Sequence, residues 1–187
     1  MNDPNYQVGD LFAFAGNGWV SNAIKVFTCS RYSHVGGIAL YNGQPLLFES
    51  TTLNDSPCVI TGKPARGVQA HWPMPRMVCY PGRIWRLRLV PDWELSDDES
   101  ALLTRYLLGK IGVDYSAGAA MLSGGNWLKR WICRNESFHS AFCSQLWTGA
   151  LERVGRHPAV NAGKVNPGQL IRTLVDLGYY QPPERFK

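Results

Sequence analysis

The chain has 187 residues, of which 45% are apolar and 18% charged, a balance that suits one folded domain, 1–187, and excludes extensive disorder. Its formal charge of +5 is spread along the sequence and argues only weakly for an anionic partner. Five cysteines (Cys29, Cys58, Cys79, Cys133, Cys143) form no Cys-x-x-Cys pair, and four histidines (His34, His71, His139, His157) show no metal-ligand spacing, which argues against a disulfide framework or structural zinc and favours a mechanism free of metal and cofactor.

Met1 to Asn5 carries no basic segment leading into an apolar run, and no later stretch reaches the length needed to span a bilayer. A cytoplasmic location is expected, with any action outside a cell depending on a route other than a signal peptide. Residues 8–14 read as a strand, followed by a turn at Gly16-Asn17-Gly18. A helix over 19–28 then carries Val20, Ile24 and Phe27 at helical spacing. Two apolar runs, Ser33 to Tyr41 and Pro45 to Ser50, flank Asn42-Gly43, the strongest short signal for a β-hairpin.

Residues 51–76 are rich in Pro, Gly, Thr and Asn and read as a long surface loop facing substrate. Residues 77–80 and 83–90 read as strands, the second setting Trp85, Leu87 and Leu89 against Arg86 and Arg88. Ser96 with Glu99 forms a capping box ahead of a helix through Leu108, which Gly109 stops. The stretch 110–140, interrupted by glycines, is expected to be loop-rich. Leu146, Trp147, Ala150, Leu151 and Val154 then recur at helical spacing in a helix that starts just after Cys143 and ends at Gly155. A last helix opens at Asn166-Pro167 and closes at Gly178.

Seven tryptophans and eight tyrosines are a large aromatic load, and some stand beside cations, as in Arg83-Ile84-Trp85-Arg86 and Trp127-Leu128-Lys129-Arg130-Trp131. Such mixtures can meet nucleic acid or a membrane surface. They also arise where arginines lie over the edge of an aromatic core, and that reading takes precedence here, so no clear nucleic-acid site is assigned.

A thiolate is the reactive form of cysteine, and a helix amino terminus favours it. Cys143 has that position, whereas Cys29, Cys58, Cys79 and Cys133 lack it and read as inert thiols. A cysteine nucleophile needs an imidazole to move its proton and a polar group to fix that imidazole. With a two-residue turn at Asn42-Gly43, position 34 stands opposite position 51, which makes His34 and Glu49 diagonal neighbours on one face. Glu49 follows Leu46, Leu47 and Phe48 in a run that reads as buried, and a carboxylate there needs a partner. His139 is the rival base, in an irregular segment with only Glu136 near it.

Gly9-Asp10-Leu11, Tyr32-Ser33-His34-Val35-Gly36, Phe48-Glu49-Ser50 and Phe142-Cys143-Ser144-Gln145-Leu146 together resemble the circularly permuted branch of the NlpC-type papain-like cysteine hydrolases, the YiiX-like proteins related to lecithin retinol acyltransferase. The order His, Glu, Cys marks the permutation, and the likeness runs from about Val8 to Val154. It implies an α+β, permuted papain-like fold in which an antiparallel sheet or partial barrel packs against the helix carrying the cysteine. It also implies Cys143 as nucleophile, His34 as base and Glu49 as the orienting residue, with Tyr32 and Tyr115 as substrate contacts. The Cys143 backbone amide, at a helix start, is the expected oxyanion donor. Gln145 departs from the acidic residue that often follows Cys-Ser in relatives.

Three functions compete. The first is an amidase or peptidase acting on peptide or peptidoglycan-derived amides through an acyl-enzyme. The second is an acyltransferase or thioesterase on lipid or acyl substrates, for which an exposed strip with Trp127 and Trp131 would serve a membrane surface. The third is a binding or inhibitor protein that retains the shape without turnover.

Overall fold

The computed structural model describes residues 6–27, 29–51, 56–64, 66–113, 139–159, 161–162 and 165–187. Six strands, β1 (Leu11–Gly16), β2 (His34–Tyr41), β3 (Gln44–Thr51), β4 (Gly67–His71), β5 (Gly82–Leu87) and β6 (Glu184–Arg185), form one antiparallel sheet in the order β4-β3-β2-β1-β5-β6. Helices α1 (Trp19–Phe27), α2 (Pro73–Val78), α3 (Asp97–Leu108), α4 (His139–Arg153) and α5 (Pro167–Asp176) complete an α+β arrangement.

The sheet is covered on both faces, which explains the unbroken apolar run at the start of β1. Leu11, Ala13, Val35, Ala39, Phe48 and Val68 point to one side and pack with Leu103 and Leu107 of α3, Leu146 and Trp147 of α4, and Leu170 and Leu174 of α5. Phe12, Phe14, Ile38, Leu47 and Ile84 point to the other and pack with Met77 of α2. Neighbouring residues of one strand thus serve two cores.

The hairpin turns through Asn42 (φ 50°) and Gly43 (φ 74°), the positive pair of a type I′ turn, and closes with Tyr41 opposite Gln44. The capping box of Ser96 and Glu99 is present, and a second, of Asn166 with Gln169, starts α5 behind Pro167.

Several expectations need correction. The segment 51–76 is not all loop, because Gly67–His71 pairs with β3 and adds a strand to the sheet. Positions 77–80 are not a strand, because Pro73 at the first helical position starts a short helix that runs to Val78, with Cys79 as its C-cap. β1 starts at Leu11, three residues later than expected, since Gly9 turns the chain at φ 91° and Asp10 holds that turn by accepting a hydrogen bond from the Gln7 amide (2.9 Å). Regular strand structure in β5 ends at Leu87, and Arg86 is buried against Asp10 (2.5 Å) and not set on a solvated face. The helix expected after Cys143 starts at His139, so His139 is its first residue and Cys143 its fifth.

The helix α4 is seated by one contact in particular. Trp147 lies on the β2 backbone at Gly37, where an added Cβ would stand 2.6 Å from the indole and 2.8 Å from the Asp10 carbonyl. Trp147 Nε1 also donates to the Phe48 carbonyl at 3.1 Å. Gly37→Ala is therefore expected to lower stability by about 1–3 kcal/mol in denaturant unfolding, through overpacking. Gly18→Ala, which meets open space, is the control and should stay within about 0.5 kcal/mol of the parent.

Candidate active site

His34 opens β2, and its register partner on β1 is Phe14, whose ring lies 5.3 Å from the imidazole. Glu49 stands opposite Gly36 on the neighbouring strand. Since Gly36 has no side chain, nothing on β2 separates the carboxylate from the histidine two positions away. His34 Nε2 lies 2.8 Å from Glu49 Oε2. The Cys143 thiol, carried in by α4, hydrogen-bonds the same imidazole. With Nε2 engaged by Glu49, the ring nitrogen left to the sulfur is Nδ1. The fold therefore brings His34, Glu49 and Cys143 into one hydrogen-bonded row.

Glu49 is fully buried, and a lone buried carboxylate would be costly. Arg76, from α2, resolves this with a fork, its Nε donating to Oε1 at 2.6 Å and its Nη2 to Oε2 at 3.2 Å. His71 lies 3.8 Å from Oε1 and hydrogen-bonds Gln69 at 2.9 Å. Burial alone would push the Glu49 carboxyl up, but the Arg76 and His34 charges hold it well below the usual carboxylate range. Burial likewise disfavours charge on His34. The sulfur of Cys143 and then the Glu49 carboxylate outweigh it and hold the imidazole pKa at about 9. For His71 burial prevails and the pKa is lowered, which keeps that ring neutral.

Cys143 and Glu49 have no exposed surface, whereas the His34 side chain keeps 14%. Placement inside α4 changes one assignment. An amide at the fifth helical position bonds the carbonyl four residues back, so the Cys143 amide is not available as the expected oxyanion donor. Tyr32 belongs to the main core, 5% exposed and edge-on to Trp85 at 5.4 Å, beside the row and not in it. Tyr115, Trp127, Trp131, Cys133 and Glu136 lie outside the described residues. Cys29, Cys58, Cys79 and Cys143 are all free thiols.

Arg76 and His71 were not anticipated as parts of the site. For His71 a signal existed, the alternation of Val68 and Ala70 with Gln69 and His71, which marks a two-sided strand. For Arg76 none existed, because the Pro-rich stretch around it reads as loop.

Removing Arg76 takes the bidentate partner from a fully buried carboxylate and leaves His34 alone to offset its charge, so Arg76→Gln should cost about 3 kcal/mol in denaturant unfolding. The double change Arg76→Met with Glu49→Gln should recover most of that loss. The pH dependence has a defined sign. The folded His34 pKa, about 9, exceeds its ordinary value of 6.5, so its charge contributes stability fully below pH 6.5, and the contribution is lost as pH rises through 9. The thermal-midpoint advantage of the parent over His34→Gln should therefore shrink across that window.

No family model matches the chain, and no curated protein matches it. Among solved structures, the metalloprotein YiiX from Escherichia coli O157:H7 is similar in fold, with a TM-score of 0.50 at 19% identity, over 80% of this chain and 67% of its own. Among the described residues here, no group of three or more His, Cys, Asp or Glu is placed to hold a metal ion, and no helix is long and apolar enough to cross a membrane. The likeness establishes a fold shared with YiiX.

Proposed function

We propose that the protein is a cysteine-dependent amidohydrolase that cleaves peptide or cell-wall peptide amides through a thioester on Cys143. The observation that carries this reading is the hydrogen-bonded row Glu49, His34, Cys143, in which the neighbouring sulfur and carboxylate raise the imidazole pKa to about 9. An imidazolium beside sulfur is the state in which a thiolate attacks and a proton is ready for the leaving group.

In this scheme the Cys143 sulfur bonds the amide carbon, and the imidazolium gives its proton to the departing nitrogen as the C–N bond breaks. Neutral His34 then takes a proton from water, whose oxygen attacks the thioester. As the C–S bond breaks, a carboxylic acid leaves and the thiolate–imidazolium pair is restored. Glu49 holds the ring so that the same nitrogen faces the sulfur throughout, and Arg76 keeps Glu49 charged.

Brief, sub-stoichiometric iodoacetamide at neutral pH, with the labelled cysteine mapped by mass spectrometry, tests the nucleophile. Cys29 and Cys79 are exposed while Cys143 is buried, so preferential labelling of Cys143 can come only from activation of its sulfur. The expected result is labelling at Cys143 that falls in His34→Ala, while faster labelling of Cys29 and Cys79 would remove the reading. On a cleavable peptide amide, Glu49→Gln should lower kcat/KM by about 100-fold or more. The parent's rate should decline above about pH 9, as the imidazolium loses the proton needed by the leaving group. Release of hydroxamate when hydroxylamine is added separates a thioester route from mere binding, and transfer to an added alcohol in preference to water would favour the acyltransferase.

A further inference from the structure

Beyond Glu49, on the side of Arg76 and not of His34, lies a cavity of about 350 Å3. Trp72, Pro57 and Pro75 stand among its apolar lining, and Arg76, His71, Ser56 and Cys79 among its polar lining. We propose that this cavity binds a small organic carboxylate with a flat, apolar body.

The size is that of a small-molecule site, and the lining is divided between apolar and polar surface. Arg76 is the group that fixes the ligand's chemistry. Its side chain is only 13% exposed, its Nε and Nη2 are spent on Glu49, and its Nη1 makes no hydrogen bond among the described residues. A guanidinium edge at the wall of a cavity matches a carboxylate in geometry and charge. The charge of Glu49 is already met by Arg76 and His34 on the far side. Trp72, 48% exposed, offers a broad surface for a ring, and the exposed Cys79 thiol stands at the cavity as a built-in reporter. A ligand here would share Arg76 with Glu49, so occupancy would reach His34 through two contacts.

Benzoate is the probe and benzamide its uncharged counterpart, compared at matched ionic strength by following iodoacetamide labelling of each cysteine. Benzoate should slow Cys79 by a factor of 1 + [L]/Kd, about tenfold at about nine times Kd. Benzamide should leave Cys79 unchanged, and exposed Cys29 should respond to neither. Trp72→Ala, at a half-exposed position, and Arg76→Lys, which removes the fork, should each weaken the protection. If Arg76→Lys does not fold, Trp72→Ala with the benzamide comparison still decides. Absence of protection, equal protection by benzamide, or matching protection of Cys29 would overturn the proposal. Cys79 reports independently of Cys143, so the fate of this site and that of the hydrolase reading are separable.

Discussion

A carboxylate with no exposed surface is the constraint around which this site is arranged. Glu49 shares its sheet face with Phe14, Ile38 and Leu47 as well as Gln69 and His71, and it is kept ionised by charge from two directions, Arg76 of α2 and His34 of β2. Neither partner could be lost without exposing the cost of the other. The arrangement therefore ties α2, which looks peripheral, to the strand that presents the imidazole. It also fixes the orientation of the His34 ring.

The sulfur reaches this row by a different route. The helix α4 packs on the opposite core, and its seat is set by Trp147 against the bare backbone of Gly37 and by the indole bond to Phe48. Cys143 is one turn before Trp147, so the packing that seats the tryptophan also sets how far the thiol extends toward His34. Two independent cores on the two sides of one sheet thus meet at a single hydrogen-bonded row.

The parts legible in the sequence were those with local signals. Asn42-Gly43 fixes a turn whose register follows from geometry, and Ser96 with Glu99 and Asn166 with Pro167 announce helix starts by capping chemistry. Those signals were enough to place His34 beside Glu49. What could not be read locally was the strand Gly67–His71 and the helix after it, since prolines that open a helix look the same in sequence as prolines that hold a loop. Arg76 was hidden with them, and the burial of Arg86 was hidden because its partner Asp10 is far away in the chain. The start of α4 was misplaced because the residues before Cys143 carry no cap signal that periodicity alone would detect.

The type I′ turn carries a consequence for how such a chain can vary. In a hairpin with a two-residue loop, opposed residues are always an odd number of positions apart, and so are diagonal neighbours on one face; His34 and Glu49 are separated by fifteen. The strands can lengthen or shorten together without disturbing that parity. A single insertion or deletion in either arm reverses the face on which every later residue stands, turning Glu49 toward α4 and Phe48 toward His34. Length change in this hairpin is thus permitted only in steps of two, and a parity rule, more than the identity of any intervening residue, is what a distant chain of the same design would have to keep.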